Sequence, residues 1–89
     1  MLDEFVKELM HHKKWTDNKW IEEQLIHHFD EIKEMINEKQ LYNGIESRIG
    51  LREVVDLIII SEILLKNNVS DTNLKNLIES RKEKFRSKL

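Results

Sequence analysis

Leu51-Arg52-Glu53-Val54-Val55-Asp56-Leu57-Ile58-Ile59-Ile60-Ser61-Glu62-Ile63-Leu64-Leu65 is the most apolar stretch of the chain. At about 100° per residue its apolar side chains point in nearly every direction, which predicts a helix enclosed by other helices. The β-branched residues would also suit a strand. The run is long, however, and lacks two-residue alternation. Glu53 and Asp56 lie three apart, on one side of a helix, whereas a strand would put them on opposite faces.

Two carboxylates in so apolar a setting are costly unless a cation meets them, because buried charges are normally paired or bound to metal. Two readings follow. Glu53 and Asp56 either pair with a Lys or Arg of another helix or hold a metal ion.

N-terminal to this stretch, Leu2, Phe5, Val6, Leu9 and Met10 recur at helical spacing and predict a short amphipathic helix. It should fade in His11-His12-Lys13-Lys14, where cations suit a helix C-terminus. That cluster is read as a solvated helix end, with a metal or anion site as the other reading. Thr16 or Asp17 is the expected N-cap of a second helix running to about Asn37. Ile21, Leu25, Ile32, Met35 and Ile36 form its apolar stripe. His28 falls inside the stripe and Glu31 on its margin. His27, His28 and Glu31 are spaced to converge beside the helix; an isolated His28 would be read as a hydrogen-bonded core residue.

Glu38 to Ile49 reads as a connection, with Asn43-Gly44 as its turn and Ser47 as a cap for the central helix. Gly50 would permit close approach at the start of that helix. Asn67-Asn68 should end it, and Ser70 should cap a last helix whose Leu74, Leu77, Ile78 and Phe85 face inward. The end of this helix is basic, with Arg81, Lys82, Lys84, Arg86 and Lys88, which complements the helix dipole or holds a polyphosphate.

The absence of Pro, with only Gly44 and Gly50 and 36% charged residues, is the composition of a helical protein. Eighty-nine residues make one domain, 1–89, near the lower limit for a single unaided core. There is no cysteine for disulfides or thiol chemistry. The first residues lack the layout of a signal peptide, and Leu57 to Ile60 is too short a run for a membrane span, so the expectation is a cytoplasmic protein without membrane partners. A net charge of −2 gives no argument for nucleic-acid binding.

A short connection sets the second and third helices side by side, so that His28 and Glu31 face Glu53 and Asp56. Oxygen ligands suit Mg²⁺ or Mn²⁺, and imidazoles shift the preference toward Mn²⁺, Fe²⁺, Co²⁺, Ni²⁺ or Zn²⁺.

This arrangement resembles the MazG-like, all-α nucleoside triphosphate pyrophosphohydrolases, which carry E-E-x-x-E on one helix and E-x-x-D on the next. Glu53-Val54-Val55-Asp56 looks like the second motif. His27-His28-Phe29-Asp30-Glu31 stands in the place of the first, with Glu31 as its third acid and the two histidines replacing the others. Trp15 precedes the second helix as a tryptophan often does in the family. Lys84-Phe85 resembles the start of a K-F-x-x-R signature, with Lys88 in place of the arginine. The likeness runs from about residue 15 to 88.

The resemblance implies an all-α, four-helix MazG-like bundle, dimeric or tetrameric, that splits a nucleoside triphosphate into the monophosphate and pyrophosphate. It implies catalytic and metal-binding roles for Glu31, Glu53 and Asp56, with His27 and His28 as further ligands. Lys84 and Lys88 would contact phosphates, and Trp15 or Trp20 would stack on the base unless both belong to the core. Each histidine removes a negative charge from the family pattern, which moves the site from Mg²⁺ toward softer ions. The alternatives are a noncatalytic nucleotide- or metal-binding module and a structural bundle in which the acids pair with bases.

Overall fold

A computed structural model describes residues 2–42 and 44–89, with side chains for all of these except 44–49. Among the described residues the chain is entirely helical: α1 (Asp3–Met10), a 3-10 turn (Lys13–Thr16), α2 (Asn18–Asn37), α3 (Gly44–Asn68) and α4 (Asp71–Arg86). None of the helices is long and apolar enough to cross a membrane.

Local chemistry sets most of the boundaries. Asp17 caps α2 by accepting a hydrogen bond from the Lys19 amide at 3.1 Å, while Thr16, the other candidate, ends the preceding turn with its hydroxyl donating to the Lys13 carbonyl at 2.7 Å. Ser70 caps α4, its hydroxyl accepting from the Asn73 amide at 3.2 Å. At the end of α2, Lys39 takes a left-handed conformation with φ 58°. Its amide then donates to the Ile36 carbonyl and that of Gln40 to the Met35 carbonyl, satisfying the last turn of the helix.

The connection is shorter than its sequence suggests, since α3 begins at Gly44 rather than after Ile49. The expected roles of Asn43 in the turn and of the Ser47 side chain as a cap lie outside the described residues. Gly50, already inside the helix, is buried against the connection. A Cβ there would stand 2.9 Å from both the carbonyl oxygen and Cδ1 of Leu41, so the close approach needs glycine.

Packing is strongest between α2 and α3, and α1 and the 3-10 turn close one end. The core is small. Val6 from α1, Ile21 from α2 and Ile60 and Ile63 from α3 form its buried centre, with Leu9, Trp15, Trp20 and Leu25 against it. The two indoles meet edge to face, ring centres 4.6 Å apart. At the far end of α3, Asn67 donates to the Trp15 carbonyl at 2.6 Å, and Asn68 and Asn18 exchange side-chain hydrogen bonds. These contacts fix the 3-10 turn and the start of α2 to the end of α3.

Two expectations about burial are corrected. The central helix is covered on one side only, leaving Leu51, Val55, Ile58 and Leu65 exposed. Nor does α4 pack inward: Leu74 is half-buried, but Leu77, Ile78 and Phe85 are exposed. The periodic apolar face of α4 is present, but among the described residues only Leu65 of α3 lines it from outside the helix.

A cluster of charges ties α1 to α3. The Lys66 ammonium, 3.3 Å from Asp3, holds the Asp3 carboxyl below its ordinary value. Glu62 is pushed the other way, chiefly by burial and further by Asp3 beside it. A carboxyl raised on folding stabilises the fold in its protonated form, and that contribution is lost as pH rises through its folded-state value. Glu62→Gln is therefore expected to melt higher than the parent at neutral pH. The difference should shrink as pH falls below the ordinary carboxylate range, which parallel melting curves across pH would record.

Candidate metal centre

The site lies where the middle of α2 crosses the first half of α3. His28 belongs to the same stripe of α2 as Ile21, Leu25 and Ile32, so the packing that buries Ile21 also aims the imidazole at α3. Glu53 and Asp56, one turn apart, lie opposite. His28 Nδ1 is 2.5 Å from Glu53 Oε2 and 3.9 Å from Asp56 Oδ2.

One nitrogen of His28 and one oxygen from each carboxylate all lie within 4.8 Å of one another. That donor set, with one imidazole and two carboxylates, fits a divalent transition ion better than Mg²⁺. His28 and Glu53 are about four-fifths buried, whereas the Asp56 side chain is 46% exposed. The deep burial expected of both acids is thus corrected for Asp56, and the cluster opens to solvent on that side.

No Lys or Arg meets Glu53 or Asp56 among the described residues, so their interhelical partner is the histidine. The ion pair expected with a basic side chain is not formed among them. His28–Glu53 is compatible with an empty or a filled site, because the same two groups can share a proton or a cation.

Glu31 and His27 stand apart from this cluster. They pair with each other on the exposed side of α2, His27 Nε2 lying 3.6 Å from Glu31 Oε1. Trp15 and Trp20 are half-buried and packed on the core, with Lys14 placed 5.9 Å from the centre of the Trp20 ring. Lys84 and Lys88 are exposed near the end of α4, Lys88 lying over the Phe85 ring. The fold therefore brings together His28, Glu53 and Asp56 from the residues expected at the site.

Sequence reading passed over Glu62 and the interhelical role of the Asn67–Asn68 pair, which lock α1, the 3-10 turn and α2 onto α3. Glu62 carried a usable signal, being a third acid in the same apolar run. Asn67 and Asn68 read only as a helix end.

No protein-family model, curated protein or solved structure matches this chain.

Proposed function

We propose that the chain is a divalent-metal-dependent nucleoside triphosphate pyrophosphohydrolase of the MazG-like type. The observation that carries this reading is the convergence of His28, Glu53 and Asp56 from two helices on one point. The order of the motifs, with Glu31 following the histidines and E-x-x-D on the next helix, supports the reaction class through resemblance alone.

His28, Glu53 and Asp56 would hold the ion, which when bound would neutralise phosphate charge and make a water more acidic. The residues around it have separate tasks. The Glu53 carboxylate orients the His28 ring through Nδ1. The His27–Glu31 pair lies apart from the cluster, so the proton that water releases as it attacks phosphorus would pass to solvent on the open Asp56 side. The bond between the α and β phosphates breaks, leaving the monophosphate and pyrophosphate.

A second reading has support in the position of Glu31. With that acid outside the cluster, three protein donors remain, which suits a metal- or nucleotide-binding module without turnover.

Chelator-treated protein, offered Mg²⁺, Mn²⁺, Co²⁺, Ni²⁺ or Zn²⁺ with a panel of ribo- and deoxynucleoside triphosphates, separates the readings. Pyrophosphate release, with Mn²⁺ or a later transition ion outperforming Mg²⁺, is expected of the enzyme. A metal-dependent rise in Tm with no pyrophosphate identifies the binding module, because a ligand of the folded state raises apparent stability. No response in either measurement rejects both.

A further inference from the structure

The last helix stands off the bundle and differs from it in charge. From Lys75 to Lys88 there are six lysines and arginines against two glutamates, whereas the remaining residues carry nine cations against fifteen acids. A basic helix is thus joined to an acidic body by the two residues between α3 and α4.

The cations and the apolar residues share one side of α4. Leu74, Leu77, Ile78, Arg81 and Phe85 follow one another at helical spacing, and with Leu65 of α3 they line an open groove. Lys82 and Arg86 border it, and among the described residues no acid does. Glu79 and Glu83 fall on the far side, about 140° and 180° around the helix from the middle of the apolar face. They pair with Lys82 at 3.0 Å and Arg86 at 3.2 Å. Such exposed pairs within one helix contribute little and open readily. Arg81 and Lys84 have no side-chain partner among the described residues.

Arg81 restricts what can cover this face, because it lies only about 20° from its middle. Whatever buries the leucines must also supply an anion there. A packed protein surface has to place a carboxylate in register or leave the guanidinium unpaired in an apolar interface, which is costly. The headgroup layer of an anionic bilayer offers negative charge at every position. Arg81, Lys82 and Arg86 can bury their stems in it and raise their charged ends to the phosphates. A nucleic acid would meet the cations but leave Leu74, Leu77, Ile78 and Phe85 uncovered.

We infer that α4 is a membrane-surface helix. It lies in the plane of an anionic phospholipid bilayer, with Leu74, Leu77, Ile78 and Phe85 at the boundary of the acyl chains and its cations among the headgroups. The expectation of a chain without membrane partners rested on the lack of a spanning segment, and a helix of this kind lies on the bilayer without crossing it. The acidic body is repelled by the same surface, which leaves α4 as the point of attachment. The inference is independent of whether the metal centre turns over a nucleotide.

Flotation with vesicles of equal parts phosphatidylcholine and phosphatidylglycerol is expected to carry the protein, and vesicles of phosphatidylcholine alone should leave it in solution. Each cation near an anionic surface contributes about fivefold in affinity, so Arg81→Gln combined with Lys82→Gln should bind about 25-fold more weakly. Ile78→Asp combined with Phe85→Asp keeps every cation and should abolish binding. Both of these residues are exposed, so the emission of Trp15 and Trp20 in the core should stay at the parent wavelength. Because the chain has no cysteine, a polarity-sensitive dye can be attached at Leu77→Cys, where its emission should shift to the blue on the anionic vesicles. The same dye at Asn76→Cys, on the far side of α4, should not shift. Failure to float, equal flotation with neutral vesicles, flotation that survives the two aspartates, or dye shifts that do not separate the two faces would each overturn the inference. A face already covered by a second copy or by an acidic protein would show itself as the first of these outcomes.

Discussion

Glu53→Ala is expected to abolish the rise in Tm given by a divalent ion, together with any metal-dependent release of pyrophosphate. The substitution deletes one of three donors and also strips His28 Nδ1 of its partner at 2.5 Å, freeing the ring to rotate. Losing an orienting partner alone typically costs about 10–100-fold in metal affinity, and losing a ligand as well places the expected loss beyond about 100-fold. Glu53→Gln is the companion variant. It keeps size and a hydrogen bond to the imidazole but loses the charge, so it should retain the apo Tm while still failing to respond to metal. Titration of both variants by calorimetry with Mn²⁺ would check this. A metal response of parental size in Glu53→Ala would remove the cluster as the metal site.

Ile63→Ala should have a large effect on stability. Ile63 is fully buried, and with Val6, Ile21 and Ile60 it makes up the centre of the core. Truncating an isoleucine in such a position costs about 2–5 kcal/mol, because the lost burial is compounded by a cavity that neighbours only partly fill. Small domains have only about 5–15 kcal/mol in hand, so the variant should lose much of its folded population at 37 °C. Chemical denaturation followed by tryptophan emission would measure the loss. By contrast Ile58→Ala, on the exposed side of the same helix, should leave the denaturation midpoint of the isolated chain nearly unchanged.

How far the sequence could be read depended on whether the deciding interaction was local. Asp17, Ser70 and Asn67-Asn68 mark helix ends through their own side chains, and those ends lie where expected. The turn at Lys39 was hidden, because lysine carries no signal for a left-handed conformation and the backbone adopts it to complete the helix end. Asn43-Gly44 drew attention as a turn and so obscured the early start of α3.

The site was legible in part for the same reason. Spacing placed Glu53 with Asp56, and the apolar stripe placed His28 toward them. Glu31 is about 40° around the helix from His27 and about 60° from His28; it forms its pair with the nearer histidine. Periodicity also showed that α4 has an apolar face. What covers a face is a question of tertiary or quaternary partners, which periodicity does not encode.

The isolation of α4 carries a thermodynamic consequence. It has 16 residues, only Leu74 of which is half-buried, little more than the about 12–15 residues below which an isolated helix is marginal, and most helical stability in proteins comes from tertiary packing. The helicity of this segment is then linked by mass action to whatever covers it. Loss of that cover should lower the far-ultraviolet signal of the chain while the emission of its tryptophans holds steady. Lys75, Arg81, Lys82, Lys84 and Arg86 would become the first tryptic cleavage sites. Occupancy of the α4 face would thus set how much of the chain is ordered, and proteolytic lifetime would follow it.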